Sequence, residues 1–348
     1  MASGGGDLKK CYQCATCSTV CTQSPASAPF PRKQILKAQW GLKQQLVADP
    51  AIWLCHDCRE CTAQCPRGAR PSEVLGAIRK QVIQHLSFPS LFGQWTANPK
   101  ALPLLALLPV LIFAVIAWGS PAPTHGGARE FADVFPIAVL EPLFFAVAGF
   151  VVLAFAIGLV RLARASGMPH PARAILGGLA PAAAEIATHK RFGECGAELS
   201  RRIGHLLTFY GFVALALVGT VVGIASMAGL MRTPLELTNP LKIFANVAAV
   251  VILAGTVLLL FDRLRDAEKR RSSTFFDWFF LPALFLVVVT GIASELLRLA
   301  QAAPVMYWVY AVHLVLIFSL FVSAPYSKFA HLAYRTVAIA LARNNKTL

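Results

Sequence analysis

The sequence predicts an all-α protein in which a small helical head precedes a membrane-embedded helical bundle. Eight of the nine cysteines lie within the first 65 residues, in two near-copies of one spacing. From residue 101 onward the chain is dominated by long apolar runs, and no segment shows the alternation of apolar and polar residues that indicates a strand. We therefore expect a head of residues 1–100 and a membrane body of residues 101–348.

Both cysteine runs have the spacing C-x2-C-x2-C-x3-C, and the second run ends in a Cys-Pro pair. In ferredoxins with this spacing, three cysteines hold one [4Fe-4S] cluster and the fourth ligates the other cluster. We therefore expect two clusters with crossed ligation. The ligands expected for the first cluster are Cys11, Cys14, Cys17 and Cys65. Those expected for the second are Cys55, Cys58, Cys61 and Cys21.

Disulfides and structural zinc are the alternative cysteine chemistries. Disulfides need an oxidising compartment and usually a small secreted chain, and no signal peptide is recognisable before Cys11. Zinc sites normally use two separated C-x2-C pairs rather than a triple. Thr22 stands where the cluster pattern usually has a proline, so the first run departs slightly from it. Clusters remain the favoured interpretation.

Helices are expected between the two cysteine runs and after the second. Residues 30–54 carry apolar side chains at helical spacing. After Cys65, a helix is expected from Pro71 to Leu86 with Ser72 as its N-cap. Because the head has few large apolar side chains, we expect the clusters to supply much of its folding free energy.

Six apolar runs in the body are long enough to cross a bilayer, which takes roughly 20 helical residues. They cover residues 101–118, 134–160, 206–230, 243–261, 275–294 and 302–324. In this topology the connections and tail on the head's side hold sixteen Lys and Arg, against four on the opposite side. The positive-inside rule therefore predicts a multi-pass inner-membrane protein with its head and both termini in the cytoplasm. The net charge of +15 then reflects topology rather than nucleic-acid binding.

Four histidines are candidate haem ligands. His313 lies in the sixth run and His331 lies 18 residues further on. If one helix continues through both, they share a face about 27 Å apart, as in two haems stacked across a bilayer. His205 begins the third run and is expected to pair with His331. The partner of His313 is open: His189 is the remaining candidate, and without it the sequence supports one haem.

Other features of the sequence have structural interpretations. His56, between two expected cluster ligands, is expected to tune or flank a cluster. Gly219 and Gly223 form a G-x3-G pair that is typical of close helix packing.

The residues around the cysteines resemble a known family. The runs CYQCATCS (11–18), FPRKQILKAQWG (30–41), DPAIWLCHDC (49–58) and CPRGARPSEV (65–74) resemble QmoC proteins, the membrane subunits of quinone-interacting membrane-bound oxidoreductase complexes. That family is similar to a fusion of the C and E subunits of heterodisulfide reductase. The body's layout is similar to the gamma subunit of respiratory nitrate reductase. The resemblance implies a six-helix cytochrome b bundle with two b haems and with His205, His313 and His331 as ligands.

The same resemblance implies an electron-transfer subunit rather than a complete enzyme. Such a subunit passes electrons between membrane quinone and flavin- and iron–sulfur-containing partner subunits, and through these to or from adenylylsulfate reductase in sulfur metabolism. The sequence itself has no nucleotide fingerprint and no nucleophile constellation. One alternative is an electron-transfer subunit of a heterodisulfide-reductase-like complex acting on thiols or disulfides. Another is a cluster-bearing redox sensor or assembly anchor without haem.

Overall fold

The computed structural model describes residues 5–25, 27–120, 130–189, 192–193, 199–273 and 275–344. Among these residues all regular structure is helical, which confirms the prediction of an all-α protein. The chain divides into two compact units. The first unit contains Met1–Ala101, Val151–Glu198 and Ser323–Leu348, and the second contains Leu102–Phe150 and Leu199–Val322.

Short helices surround the two cysteine runs. They are α1 (Thr16–Thr19), α2 (Arg32–Gln39), α3 (Lys43–Val47), α4 (Glu60–Ala63), α5 (Pro71–Leu86) and α6 (Ser90–Thr96). The stretch of residues 30–54 is divided into α2, α3 and the 3-10 turn Pro50–Trp53. Gly41, at a φ of 69°, ends the first piece, and Pro50 lacks the N–H that would continue a helix.

Helix α5 has the predicted bounds, but the prediction that Ser72 caps it is wrong. Arg70 occupies the N-cap position in a left-handed conformation, with a φ of 47°. The hydroxyl oxygen of Ser72 instead lies 2.7 Å from the hydroxyl oxygen of Thr62 in α4. This bond joins the second cysteine run to the start of α5.

Longer helices form the rest of the chain. They are α7 (Leu102–Gly119), α8 (Ile137–Ala165), α9 (Pro171–Thr188), α10 (Leu199–Met227), α11 (Pro240–Arg265), α12 (Ala267–Ser272), α13 (Phe275–Leu299), α14 (Val305–Ser323) and α15 (Ala330–Asn344). Within the described ranges, six helical stretches are long and apolar enough to cross a membrane. Their number agrees with the sequence, and they are compatible with a multi-pass membrane protein. Helix α9 was not expected from apolar run length, although Pro171 at its first turn is a recognisable start signal.

The expectation that one helix carries both His313 and His331 is wrong. Helix α14 ends at Ser323, and the 3-10 turn Ala324–Tyr326 separates it from α15. Pro325 explains the break, because proline has no N–H to donate and disfavours helical geometry in the residue before it. His313 therefore belongs to the second unit and His331 to the first.

One hydrophobic core joins the cysteine-rich head to the end of the chain. Trp53 and Leu75 of the head share this core with Leu162 of α8 and with Tyr334 and Leu341 of α15. Each of these side chains is almost fully buried. The rings of Trp53 and Tyr334 stack with their centroids 4.9 Å apart. Large side chains of this kind contribute roughly 1.5–3 kcal/mol each when buried, so α15 is integral to the head's fold.

Helices α9 and α15 cross at a glycine. A Cβ added to Gly178 would lie 2.6 Å from the carbonyl oxygen of Ala340 and 2.7 Å from its Cα, closer than real Cβ contacts. The obstacle is backbone, so it has little freedom to move. Glycine is therefore required at position 178 for the observed approach of the two helices.

We expect Gly178→Ala to lower the free energy of unfolding by about 2 kcal/mol, the usual cost of overpacking a tight contact. The measurement is thermal unfolding in detergent followed by the loss of helical circular dichroism. Gly177→Ala is the matched control, because a Cβ at Gly177 meets nothing within 4 Å. Equal melting temperatures for the two variants would contradict the close crossing.

In the second unit, α10 and α11 approach each other at small residues. Cβ atoms added to Gly211 and Gly255 would lie 2.8 Å from Ile252 and 2.6 Å from Thr208, respectively. The predicted packing pair differs: Gly219 has nothing within 4 Å, and Gly223 makes an ordinary contact with Phe145 at 3.4 Å. The close helix packing is therefore displaced toward the N-terminal half of α10.

Candidate metal centres

Two cavities in the first unit are each lined by four cysteines. The first encloses about 350 Å³ of space that is partly open to solvent, and the second about 370 Å³. The cysteines of the first cavity are Cys11, Cys14, Cys17 and Cys65. Those of the second are Cys21, Cys55, Cys58 and Cys61. Each cavity thus takes three cysteines from one run and the fourth from the other, which is the crossed grouping expected from the spacing.

The two runs repeat the same backbone geometry. Gln13 and Ala15, on either side of the second cysteine of the first run, have φ values of 67° and 71°. Asp57 and Arg59 occupy the same places in the second run, with φ values of 54° and 68°. Left-handed backbone at non-glycine residues costs roughly 1–2 kcal/mol each. The repeated turns direct three thiols of each run toward one cavity.

Hydrogen bonds from amide groups reach three of the sulfur atoms. The backbone N–H groups of Asp57 and Ala69 donate to the Sγ atoms of Cys55 and Cys65, both at 3.3 Å. The side-chain amide of Gln13 donates to the Sγ of Cys11 at 3.5 Å. Such bonds stabilise negative charge on sulfur and are among the factors that set the potential of an iron–sulfur cluster.

Burial favours the neutral thiol at four of the cysteines. It raises the pKa of Cys17 and of Cys21 to about 11, and it raises the pKa of Cys61 and of Cys55 as well. At the exposed Cys14, a hydrogen bond with the hydroxyl of Thr16 lowers the pKa. Because cysteine binds iron as the thiolate, binding of a cluster in either cavity must release protons from the thiols.

The cavities fit [4Fe-4S] clusters in donor type and number. Each presents four sulfur donors around a shared space, and the eight described cysteines are all free thiols. Four thiolates are the complete ligand set of a [4Fe-4S] cluster.

Two guanidinium groups converge on the second cysteine run, which the sequence alone did not indicate. Arg79 of α5 donates to the carbonyl oxygen of Cys55 at 2.9 Å. Arg335 of α15 donates to the carbonyl oxygen of Trp53 at 3.1 Å and to that of Cys55 at 3.5 Å. Its second terminal nitrogen lies 2.6 Å from Nε2 of His56. His56 therefore contacts a cation supplied by the C-terminal helix.

His313 is held by two residues of α13. Its Nδ1 lies 3.0 Å from the hydroxyl oxygen of Thr290, whose own hydroxyl donates to the carbonyl oxygen of Leu286. The ring lies over Gly291, where an added Cβ would be 2.9 Å from Cε1. A fixed partner on one ring nitrogen is the usual way in which proteins orient a metal-ligating histidine. The surroundings of His313 therefore fit a ligand that coordinates through Nε2.

The other candidate haem ligands are spread over both units. His205 lies in the first third of α10 in the second unit. In the first unit, His331 lies at the start of α15, where its Nδ1 contacts the carbonyl oxygen of Lys328. The buried His189 ends α9 and packs edge-on against Phe192, which also packs against His56. His189 therefore neighbours the residues of the second cysteine run.

Two protein families match different parts of the chain. A 4Fe-4S dicluster domain matches residues 7–69, and the Citrate utilization protein B family matches residues 94–347. No solved structure matches the chain.

Individual relatives match either the head alone or nearly the whole chain. The C subunit of the H(2):CoB-CoM heterodisulfide,ferredoxin reductase of Methanothermobacter thermautotrophicus is 38% identical over 84 residues, 24% of this chain and 45% of the relative. A protein of Archaeoglobus profundus that is named as similar to the heterodisulfide reductase C subunit is 34% identical over 25% of this chain and 47% of the relative. The chain thus spans about half the length of these relatives. Citrate utilization protein B of Escherichia coli is 26% identical over 95% of this chain and 89% of that protein.

The head is thus similar to the iron–sulfur C subunits of heterodisulfide reductases, and the similarity to a citrate utilization protein extends over nearly the whole chain. The family model covers more than half of the 348 residues, including all the long apolar helices. The chain belongs to the Citrate utilization protein B family.

Proposed function

We propose that this chain is the membrane-anchored electron-transfer subunit of an oxidoreductase complex. The observation that carries the proposal is the pair of cavities, each lined by four cysteines in crossed grouping. In this proposal, residues 1–100 hold two [4Fe-4S] clusters through the eight cysteines. A [4Fe-4S] cluster supplies one-electron transfer, and the N–H groups of Asp57 and Ala69 stabilise sulfur charge as it changes.

We further propose that the body, residues 101–348, holds b haem and exchanges electrons with membrane quinone. The support is the fixed orientation of His313 by Thr290 and the six apolar helices. His313, His205 and His331 are the proposed axial ligands. Two haems require a fourth ligand, for which His189 is the candidate, whereas a single haem removes His189 from the set. The head and both termini are proposed to face the cytoplasm, where a reducing environment preserves clusters.

The partner is proposed from the relative that spans nearly the whole chain. Because that relative is a citrate utilization protein, we propose a soluble redox enzyme of carboxylic-acid metabolism as the partner. A second candidate is favoured by the higher identity of the head to heterodisulfide reductase C subunits. In that case the partners are flavin- and iron–sulfur-containing subunits of a QmoC-type or heterodisulfide-reductase-like complex, with adenylylsulfate reductase or a disulfide as the next carrier.

Metal and haem quantification tests the cofactor content. The full-length protein is purified without air in detergent, and non-haem iron and haem are measured per chain. We expect about eight non-haem irons, four for each cluster, together with b-type bands in the reduced-minus-oxidised spectrum. A colourless, iron-free preparation would overturn the proposal. Clusters without haem bands would support the sensor or assembly-anchor alternative.

Reduction experiments separate the two partner classes. Membranes containing the protein are mixed with a reduced flavoenzyme that oxidises a tricarboxylic acid, and the appearance of reduced haem bands is followed. The same membranes are mixed with reduced adenylylsulfate reductase. Faster haem reduction by the carboxylic-acid enzyme supports the first candidate, and the reverse order supports the second.

A further inference from the structure

We propose that Arg335 positions the second cysteine run against the C-terminal helix and raises the reduction potential of the second cluster. The second cluster is the one expected at Cys21, Cys55, Cys58 and Cys61. The proposal rests on the proposed function, because it requires both clusters. It assigns them an order, with the second cluster next to α15 and the first toward the soluble partner.

The contacts of Arg335 reach across nearly the whole sequence. Its guanidinium bridges the carbonyl oxygens of Trp53 and Cys55 and the ring of His56, all of which belong to the second cysteine run or the turn before it. Residues 335 and 53 are 282 positions apart, so these contacts exist only because α15 enters the head's core. The adjacent Tyr334 stacks on Trp53 and fixes the helix in place.

The positive charge of Arg335 affects the equilibrium between the oxidised and reduced forms of the second cluster. One-electron reduction adds negative charge to a cluster that four thiolates already make anionic. A permanent cation held against the loop stabilises the reduced form more than the oxidised form, and partial burial keeps this interaction from being fully screened. Arg79 adds a second guanidinium at the carbonyl oxygen of Cys55. Both cations act in the same direction on the second cluster, whereas the carboxylates of Asp57 and Glu60 act against them.

The first cavity is more open to solvent. Two arginines line it: Arg67 is exposed and lies over the ring of Tyr12, 5.9 Å from the centroid, and Arg32 is half-buried. Tyr12 is itself 59% exposed, and Cys14 is exposed. Solvent screens charges on such a surface more strongly than charges near the core. The first cluster is therefore expected to have the more accessible edge.

The order of carriers follows from this asymmetry. His331, a proposed haem ligand, lies one helical turn before Arg335 on α15. The second cluster is thus the neighbour of the helix that leads to the membrane span α14. The first cluster, with its exposed side chains, is the one that a soluble redox partner reaches.

The test is an EPR-monitored redox titration of the full-length protein in detergent, with dithionite as reductant. We expect Arg335→Gln to lower the reduction potential of the second cluster by about 59 mV. For a one-electron couple this is about a tenfold fall in the reduced-to-oxidised ratio. The other cluster should be unchanged. Single alanine variants of Cys61 and Cys65 identify which signal belongs to which cluster, because each variant removes one of them.

Three variants serve as controls. Arg343→Gln removes a charge from the same helix at a residue that pairs with Glu185, so both potentials should stay unchanged. Arg335→Lys retains the charge, so the reduced-to-oxidised ratio of the second cluster should stay within threefold of that in the parent protein. Arg79→Gln should shift the same cluster in the same direction and serves as the test if Arg335→Gln does not accumulate.

Three results would overturn the inference while leaving the proposed function intact. The first is an unshifted second-cluster potential in Arg335→Gln, and the second is an equal shift of both clusters. The third is a shift of equal size in Arg343→Gln. Absence of both cluster signals in the parent protein would instead overturn the proposed function.

Discussion

Replacing Cys65 with alanine is expected to remove the first cluster and leave the second in place. Cys65 follows Cys61 by only four residues, but it lines the cavity of Cys11, Cys14 and Cys17. A [4Fe-4S] cluster that loses one of its four thiolates is left with an incomplete ligand set. We expect the non-haem iron content to fall from about eight to about four per chain, with loss of one of two EPR signals.

Double variants distinguish crossed from uncrossed ligation. If Cys65 and Cys11 share a cluster, the Cys65→Ala and Cys11→Ala double variant should retain about as much iron as either single variant. The Cys65→Ala and Cys61→Ala double variant should lose both clusters. The uncrossed arrangement reverses these two outcomes, so iron content and EPR signals of the two proteins decide between the arrangements.

Replacing His313 with alanine is expected to remove one haem from each chain. The imidazole supplies the iron ligand in our proposal, and its Nδ1 lies 3.0 Å from the hydroxyl oxygen of Thr290. The measurement is haem per chain by the pyridine haemochrome method on protein purified in detergent. Unchanged haem content in this variant would exclude His313 as a ligand.

Three further variants separate ligation from folding. Gly291→Ala should displace the His313 ring, because its Cβ would lie 2.9 Å from Cε1, and should shift the haem spectrum or reduce haem content. Gly219→Ala is the matched control, since nothing lies within 4 Å of that Cβ. His170→Ala, an exposed residue before α9, should leave the haem unchanged. A normal spectrum in Gly291→Ala would contradict the proposed orientation of His313.

Helix α15 packs into the head and so couples the head's packing to the residues of that helix. Helix α15 forms the last part of the last candidate membrane stretch and shares a core with the two cysteine runs. A change in the head's packing is therefore transmitted to His331 and Arg335 without an intervening flexible linker.

Local features of the sequence were sufficient to predict the helical class and the number of long apolar helices, and the same kind of feature predicts which cysteines share a cluster. Cysteine spacing determines which thiols one loop can present to a common point, and apolar run length determines which helices can span a bilayer. Both properties act over a few residues or turns. They are therefore readable from the chain without knowledge of its neighbours.

Tertiary structure alone decided the features that join distant segments. The contact of Arg335 with Cys55, the stacking of Tyr334 on Trp53 and the glycine crossing at Gly178 each require helices that are far apart in sequence. No periodicity encodes such pairs, because burial in a shared core depends on how whole helices pack. The break at Pro325 was readable in the sequence, yet only the fold showed that the following helix belongs to the head.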